Sequence, residues 1–216
     1  MLKSKLNRKH KYIISLICVF NFLLTPLLIA IFSINPGNII VINYTIVILS
    51  NSILAKKKTA KIVTYLVGLI TLILIWLELH HEQSKTIEGF RLLSSFSLFC
   101  VFSAILISQI RKIKKVNISF ILGPILGFLY LGIIGGIVFE AIHFFDENAF
   151  NLINGFSGFS FYYFSFISIS TVGYGDITPL TAPAQSITLV MNIIGQFYMA
   201  IVIGVFVGKY INVKSK

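Results

Sequence analysis

Apolar residues in this chain fall in long unbroken runs. They do not show the alternation of a half-buried strand or the narrow stripe of a water-facing helix. Runs of about 20 such residues are long enough to cross a bilayer as helices. The pattern predicts six helices, over residues 12–34, 39–54, 62–79, 90–110, 118–142 and 184–211. The first contains Pro26, and the second is short and carries Asn43, Asn51 and Ser52. The first is also too long for a signal-peptide core, and no small-residue cleavage pattern follows it, so it reads as a retained helix. The last covers about 42 Å at 1.5 Å per residue, enough to span with tilt.

Composition agrees with this pattern. Hydrophobic residues make up 56% and charged residues only 12% of the 216 positions, against about 25% charged in an average soluble domain. Mean hydropathy is +0.91. So few charges could not cover a water-exposed surface of this size, which excludes soluble, disordered and coiled-coil classes. An all-α, multi-pass membrane protein remains. Cys18 and Cys100 both lie inside apolar runs and are expected as buried thiols without a disulfide.

The net charge of +11 suggests nucleic acid only until it is located. Sixteen of the eighteen basic residues sit at the N-terminus (Lys3 to Lys11), at Lys56 to Lys61, at Arg111 to Lys115 and at Lys209 to Lys216. With six spans, all four clusters fall on one side. Lys85, Arg91 and all seven acids (Glu78, Glu82, Glu88, Glu140, Asp146, Glu147, Asp176) fall on the other. Basic loops mark the cytoplasmic side, so both termini are expected in the cytoplasm. No nucleic-acid partner is implied. The outer side carries two basic against seven acidic side chains, a sign that concentrates cations. The basic clusters either set topology alone or also contact anionic membrane lipids.

Residues 150–183 do not read as an ordinary loop. An apolar, aromatic segment near 159–170 is too short to cross and suggests a re-entrant helix, with Ser157 or Ser160 as its N-terminal cap. Thr171-Val172-Gly173-Tyr174-Gly175-Asp176 follows. Non-helical backbone at membrane depth persists only inside protein or along a water-filled path. Gly173 and Gly175 accept backbone angles closed to other residues, so successive carbonyls of Thr171, Val172, Gly173 and Tyr174 can turn to one side. Val172 and Tyr174 would then pack away from that side. Four copies around an axis would stack oxygen cages for a dehydrated cation, with the negative end of the short helix aimed beneath them.

This hexapeptide resembles the selectivity filter of potassium channels. The resemblance covers about 118–210: outer helix 118–142, pore helix about 159–170, filter 171–176 and inner helix about 184–211. It implies K+ binding at Thr171, Val172, Gly173 and Tyr174, with Gly175 completing the filter, and no organic cofactor. A single filter copy implies a homotetramer. The family's aromatic cuff maps to Tyr163 and Phe164, with Asp176 as partner. Many relatives carry a Trp pair here. Tyr163 retains a donor for Asp176, whereas Phe164 has none for Tyr174, which weakens the expected brace. Ile167 stands where some relatives place a Glu. Gly195 matches the family's gating hinge, with close helix packing as the other explanation of a mid-helix glycine. Gly204 and Gly208 are spaced for packing.

Residues 1–117 resemble the four-helix unit of six-helix channels only in number and orientation. Voltage-gated relatives repeat Arg or Lys every third residue in the fourth helix. Here only Arg91 lies at its outer edge, where it reads as an interfacial anchor, and the next basic residue is Arg111. Voltage-sensor gating is therefore expected to be weak or absent. The short stretch after Ile211 leaves no ligand-binding domain in this chain. Glu78, His80, His81 and Glu82, with His143 near Asp146 and Glu147, either sense protons or are simply solvated. The stretch His81 to Lys85 lacks the second histidine of a zinc-protease helix, and no other pattern suggests an enzyme. A passive potassium-selective channel in the cell membrane is the leading expectation. A poorly selective cation channel and a non-conducting accessory or transporter subunit are the alternatives.

Overall fold

The computed structural model describes residues 8–32, 36–80, 84–111, 118–152 and 159–214. Lys3, Lys5, Lys112, Lys114, Lys115, Lys216, His81, Glu82 and the capping candidate Ser157 lie outside the described residues. The chain divides into two compact units, Met1–Gly127 and Phe128–Lys216. The division falls inside a helix rather than at residue 117. Four described helices are long and apolar enough to cross a membrane, and a fifth is counted if one bent pair forms a single span.

The first unit contains α1 (Arg8–Leu23), α2 (Thr25–Phe32), α3 (Pro36–Ser52), α4 (Lys58–His80) and α5 (Lys85–Ile110). The predicted first helix is in fact two, bent by 59° at Leu24. Pro26 has no N–H to give the Phe22 carbonyl one turn back. The Thr25 hydroxyl donates to that carbonyl instead, at 2.6 Å. Asn43 of α3 donates to Thr25 Oγ1 at 2.7 Å, and Asn21 donates to Asn43 Oδ1 at 2.6 Å. Asn43, noted from sequence only as a polar residue in a short span, thus pins the kink. The 17-residue α3 covers about 26 Å. Its exit is held by two neighbours. Lys11 Nζ donates to the Ile53 carbonyl at 3.2 Å, and buried Gln109 donates to the Leu54 carbonyl at 2.5 Å.

α4 turns Thr64, Gly68, Thr71 and Ile75 inward, one stripe at helical spacing. Small residues let helices approach closely where lipid removes the hydrophobic drive to associate. A Cβ on Gly68 would lie 2.6 Å from Ile48 Cγ2. At the far end of the α4–α5 pair, Arg91 Nε lies 2.5 Å from Glu78 Oε2. Arg91 is therefore half of an interhelical ion pair rather than only an interfacial anchor. The Trp76 and His80 rings stack with centroids 4.3 Å apart. Cys100 is exposed, against the expectation of a buried thiol, and both cysteines are free.

α6 (Ile118–Phe145) enters the second unit, followed by β1 (Phe150–Leu152), α7 (Ser160–Ile169), β2 (Ile177–Pro179) and α8 (Ala182–Lys214). α6 runs three residues past the predicted end. α8 starts two residues before and ends three residues after the predicted inner helix. β1 and β2 pair antiparallel, a ribbon that the sequence pattern did not reveal. The core of this unit is aromatic: Phe139, Phe150, Phe161 and Phe164 gather with Ile167, Ile169, Ile177 and Met191.

Candidate functional site

The short helix α7 is seated by glycines. On α6, Gly132, Gly135 and Gly136 face Phe166, Ser165 and Tyr162 of α7, matching the three-four spacing of both helices. A Cβ on Gly136 would come within 2.9 Å of the Tyr162 Cα. Because that contact is backbone, no rotamer change relieves it. The N-cap of α7 is Phe159, with no side-chain cap bond, so Ser160 is the first helical residue and not the cap.

The other end of α7 is closed by its own backbone. Val172 N–H donates to Ile167 O at 2.9 Å and Thr171 N–H to Ser168 O at 3.0 Å. This pair of bonds is a Schellman motif, which requires a left-handed residue just past the helix. That residue is Thr171, at φ 63°. Glycine takes this conformation freely, whereas a β-branched side chain is strained in it. Gly173 N–H also donates to Ile167 O, at 3.1 Å. The Thr171 hydroxyl is turned back onto the Ser170 carbonyl at 2.6 Å.

Positive φ recurs at Thr171 (63°), Gly173 (52°) and Gly175 (80°), and Val172 and Tyr174 between them are not left-handed. Alternating handedness gathers successive N–H groups on one side of a strand and leaves the carbonyls to the other. No atom lies within 4 Å of where a Cβ would stand on Gly173 or Gly175. Val172 is 51% exposed and Tyr174 73%. The strand thus leaves its own chain uncovered at both side chains expected to pack outward.

At its Asp176 end the strand is tied back to α7. Tyr163 Oη donates to Asp176 Oδ2 at 2.7 Å. That bond, reinforced by partial burial and by the Asp176 charge, pushes the Tyr163 phenol up to about 12. Phe164 is elsewhere. It is buried in the aromatic core, its ring centroid 4.9 Å from Phe139 and 5.6 Å from Phe150. It supports α7 from behind, and, as its lack of a donor led one to expect, it makes no hydrogen bond to Tyr174. Ile167 is also buried in that core.

Gly195 lies inside α8, which continues through it unbroken. A Cβ there would stand 2.8 Å from the Ile169 carbonyl oxygen and 3.0 Å from its Cα. Gly195 is therefore where α8 meets the last turn of α7, which is the packing explanation of this glycine. A Cβ on Gly204 would meet nothing within 4 Å, so its expected packing role has no partner in the described part of the chain. Glu140 escaped notice as more than an outer acid. It is 7% exposed on α6, one residue from Phe139. A lone carboxylate in so apolar a run was the available signal.

Residues 127–212 match the family model described as ion channel. No curated protein and no solved structure matches the chain. The matched segment contains α7, the 171–176 strand and most of α8, so this part of the chain is similar to an ion-channel domain, and the long apolar helices fit an all-α, multi-pass membrane protein.

Proposed function

We propose that this chain is the subunit of a homotetrameric, potassium-selective channel that conducts K+ passively across the cell membrane. The observation that carries this reading is the 171–175 strand itself. It is non-helical backbone with alternating handedness, fastened at both ends and uncovered between them. Uncovered backbone at membrane depth needs protein or a water path beside it, and three further copies of the chain would supply both.

In that assembly the carbonyls of Thr171, Val172, Gly173 and Tyr174 replace the hydration shell of K+. Gly175 allows the final turn toward Asp176. The C-terminal end of α7 contributes partial negative charge beneath the filter, and the acidic outer side raises the local cation concentration. Membrane lipids surround the remaining apolar faces. α3, although short, is the sixth crossing, and both termini are cytoplasmic. Arg91, paired with Glu78, leaves no row of mobile charges for a voltage sensor. Gly195 as a gating hinge would require α8 to bend within a continuous helix.

The test is the reversal potential of purified protein in planar bilayers, with potassium on one side and sodium on the other. A reversal close to the potassium equilibrium potential at every holding voltage is expected. A reversal near zero would overturn the selectivity and favour the poorly selective cation channel. One observation keeps that second reading in view: Phe164 is committed to the core, leaving Tyr163 to brace the filter. No current with either ion would favour a non-conducting subunit.

A further inference from the structure

The stretch beyond the proposed filter is built more firmly than an outer loop requires. Asp176 leads directly into β2, in which Pro179, Thr178 and Ile177 stand opposite Phe150, Asn151 and Leu152 of β1. Leu180 N–H donates to the Ala149 carbonyl at 2.8 Å, and Ala149 N–H to the Asp146 carbonyl at 3.0 Å. Bonded and non-bonded positions alternate along an antiparallel pair. Pro179, next to the bonded Leu180, therefore falls where a missing N–H leaves nothing unpaired.

A two-stranded ribbon alone is marginal. This one has an anchor. The Phe150 ring centroid lies 5.1 Å from Phe161, 5.6 Å from Phe164 and 5.9 Å from Phe139, and Ile177 shares the same buried core. Phe150 thus ties one strand of the ribbon to both α6 and α7. The other strand is the continuation of the filter. Between Thr171 and Gly175 the chain gives the strand little support, so the position of its outer end is set by what holds Asp176 and Ile177.

We infer that the β1–β2 ribbon fixes the height of the outer filter end, and that Phe150 is the positioning residue through which it does so. The inference rests on the channel reading above. Phe150 touches no ion. Without its ring the ribbon is free to ride over α7. Asp176 then moves relative to Tyr163, and the Tyr174 and Gly175 carbonyls lose their common level across the four subunits. The outer K+ sites weaken first, which appears as current that decays during sustained conduction and as a lower K+/Na+ permeability ratio.

The test uses the full chain in planar bilayers, with Phe150→Leu, Phe150→Ala and the double variant Leu152→Cys/Ile177→Cys in a Cys18→Ser/Cys100→Ser background. Leu152 and Ile177 face each other at a non-bonded position, where side chains approach most closely. Phe150→Ala is expected to speed current decay roughly fivefold or more, equivalent to about 1 kcal/mol of lost positioning, and to lower the permeability ratio. Phe150→Leu should fall between it and the parent. The oxidised cysteine pair should decay more slowly than the same channels after reduction. Variants that only assemble in smaller amounts, with decay and permeability ratio unchanged, would reduce Phe150 to a packing residue and overturn the inference. So would identical decay in the oxidised and reduced channels, or failure of the two cysteines to join. If Phe150→Ala does not assemble, the oxidised-against-reduced comparison decides alone. A parent protein without potassium-selective current counts against the channel reading itself, whereas a selective parent with indifferent variants counts against the ribbon only.

Discussion

The two units treat interrupted backbone in opposite ways. In the first, each described break is closed by a side chain. Thr25 replaces the donor that Pro26 lacks, and Lys11 and Gln109 take the carbonyls where α3 ends. In the second, the break after α7 is closed only at its first step, by the Schellman bonds to Ile167 and Ser168. The strand that follows is left open at both glycines. Away from water, an unsatisfied backbone group costs several kcal/mol, so the first pattern is structural economy. The second persists only where something outside the chain completes it. Ions, water and neighbouring copies are what the proposed pore would bring.

The sharpest way to break this comparison is to unseat α7. Gly136→Val places a branched side chain against the Tyr162 backbone. Overpacking of a filled site costs about 1–3 kcal/mol when side chains can yield. Here the obstacle is a Cα, so loss of the assembled pore is expected, read as loss of the tetramer peak in size-exclusion chromatography. Gly204→Val on α8 is the control and should assemble normally if no neighbouring copy packs there. Equal behaviour of the two would show that the glycine groove on α6 does not seat α7.

A smaller effect is expected in the first unit. Asn43→Leu removes both the bond to Thr25 and the bond from Asn21. Hydrogen bonds between membrane helices contribute about 0.6 kcal/mol each on average, so a loss of about 1–2 kcal/mol in thermal unfolding is expected. The permeability ratio of the surviving channels should not change. A changed ratio would mean that the kink at Leu24 is coupled to ion selection, and that the two units do not divide structure from conduction.

How much of this was legible in the sequence follows the same division. The long helices and the 171–176 strand were readable, because bilayer thickness dictates apolar length and because the hexapeptide carries its own chemistry. The Tyr163–Asp176 bond was readable through the family resemblance. The kink was half readable: Pro26 is visible, but Asn43, which bonds the neighbouring Thr25, lies on another helix. The ribbon was not. Three residues per strand, Phe150-Asn151-Leu152 and Ile177-Thr178-Pro179, are too few to show an alternation, and Pro179 argues against a strand until its register is known. Left-handed Thr171 ran against its type, since a β-branched residue is a poor choice for that position on local grounds. The Arg91–Glu78 pair needed only the observation that few residues separate the end of α4 from the start of α5.

At the proposed filter, Tyr163→Phe keeps the ring and deletes the donor to Asp176. The remaining fastening is the ribbon, so current decay should quicken by roughly two- to fivefold, the scale of one net hydrogen bond. The pH dependence has a definite sign. The phenol ionises at about 12, above its ordinary 10. Between these values the folded protein keeps a proton that the unfolded chain releases. The bond's contribution is thus complete below about pH 10 and is lost as pH rises toward 12. Decay in the parent should therefore be flat with respect to this bond up to pH 10, and Tyr163→Phe should abolish any rise beyond it.

The smallest effect is expected at Arg91, and it tests the idleness of the first unit most directly. A voltage sensor works because a charge crosses part of the membrane field, at about 2.3 kcal/mol per elementary charge per 100 mV. Arg91 lies near the N-terminal end of α5, held by Glu78 of α4, with side-chain exposures of 12% and 29%. Such a pair contributes at most about 1 kcal/mol to stability where water still reaches it. Arg91→Gln should therefore lower thermal stability slightly and leave open probability independent of voltage, as in the parent. If the parent's open probability rises steeply with voltage and Arg91→Gln flattens it, then the ion pair breaks during gating. The first unit would then be a one-charge sensor rather than a scaffold.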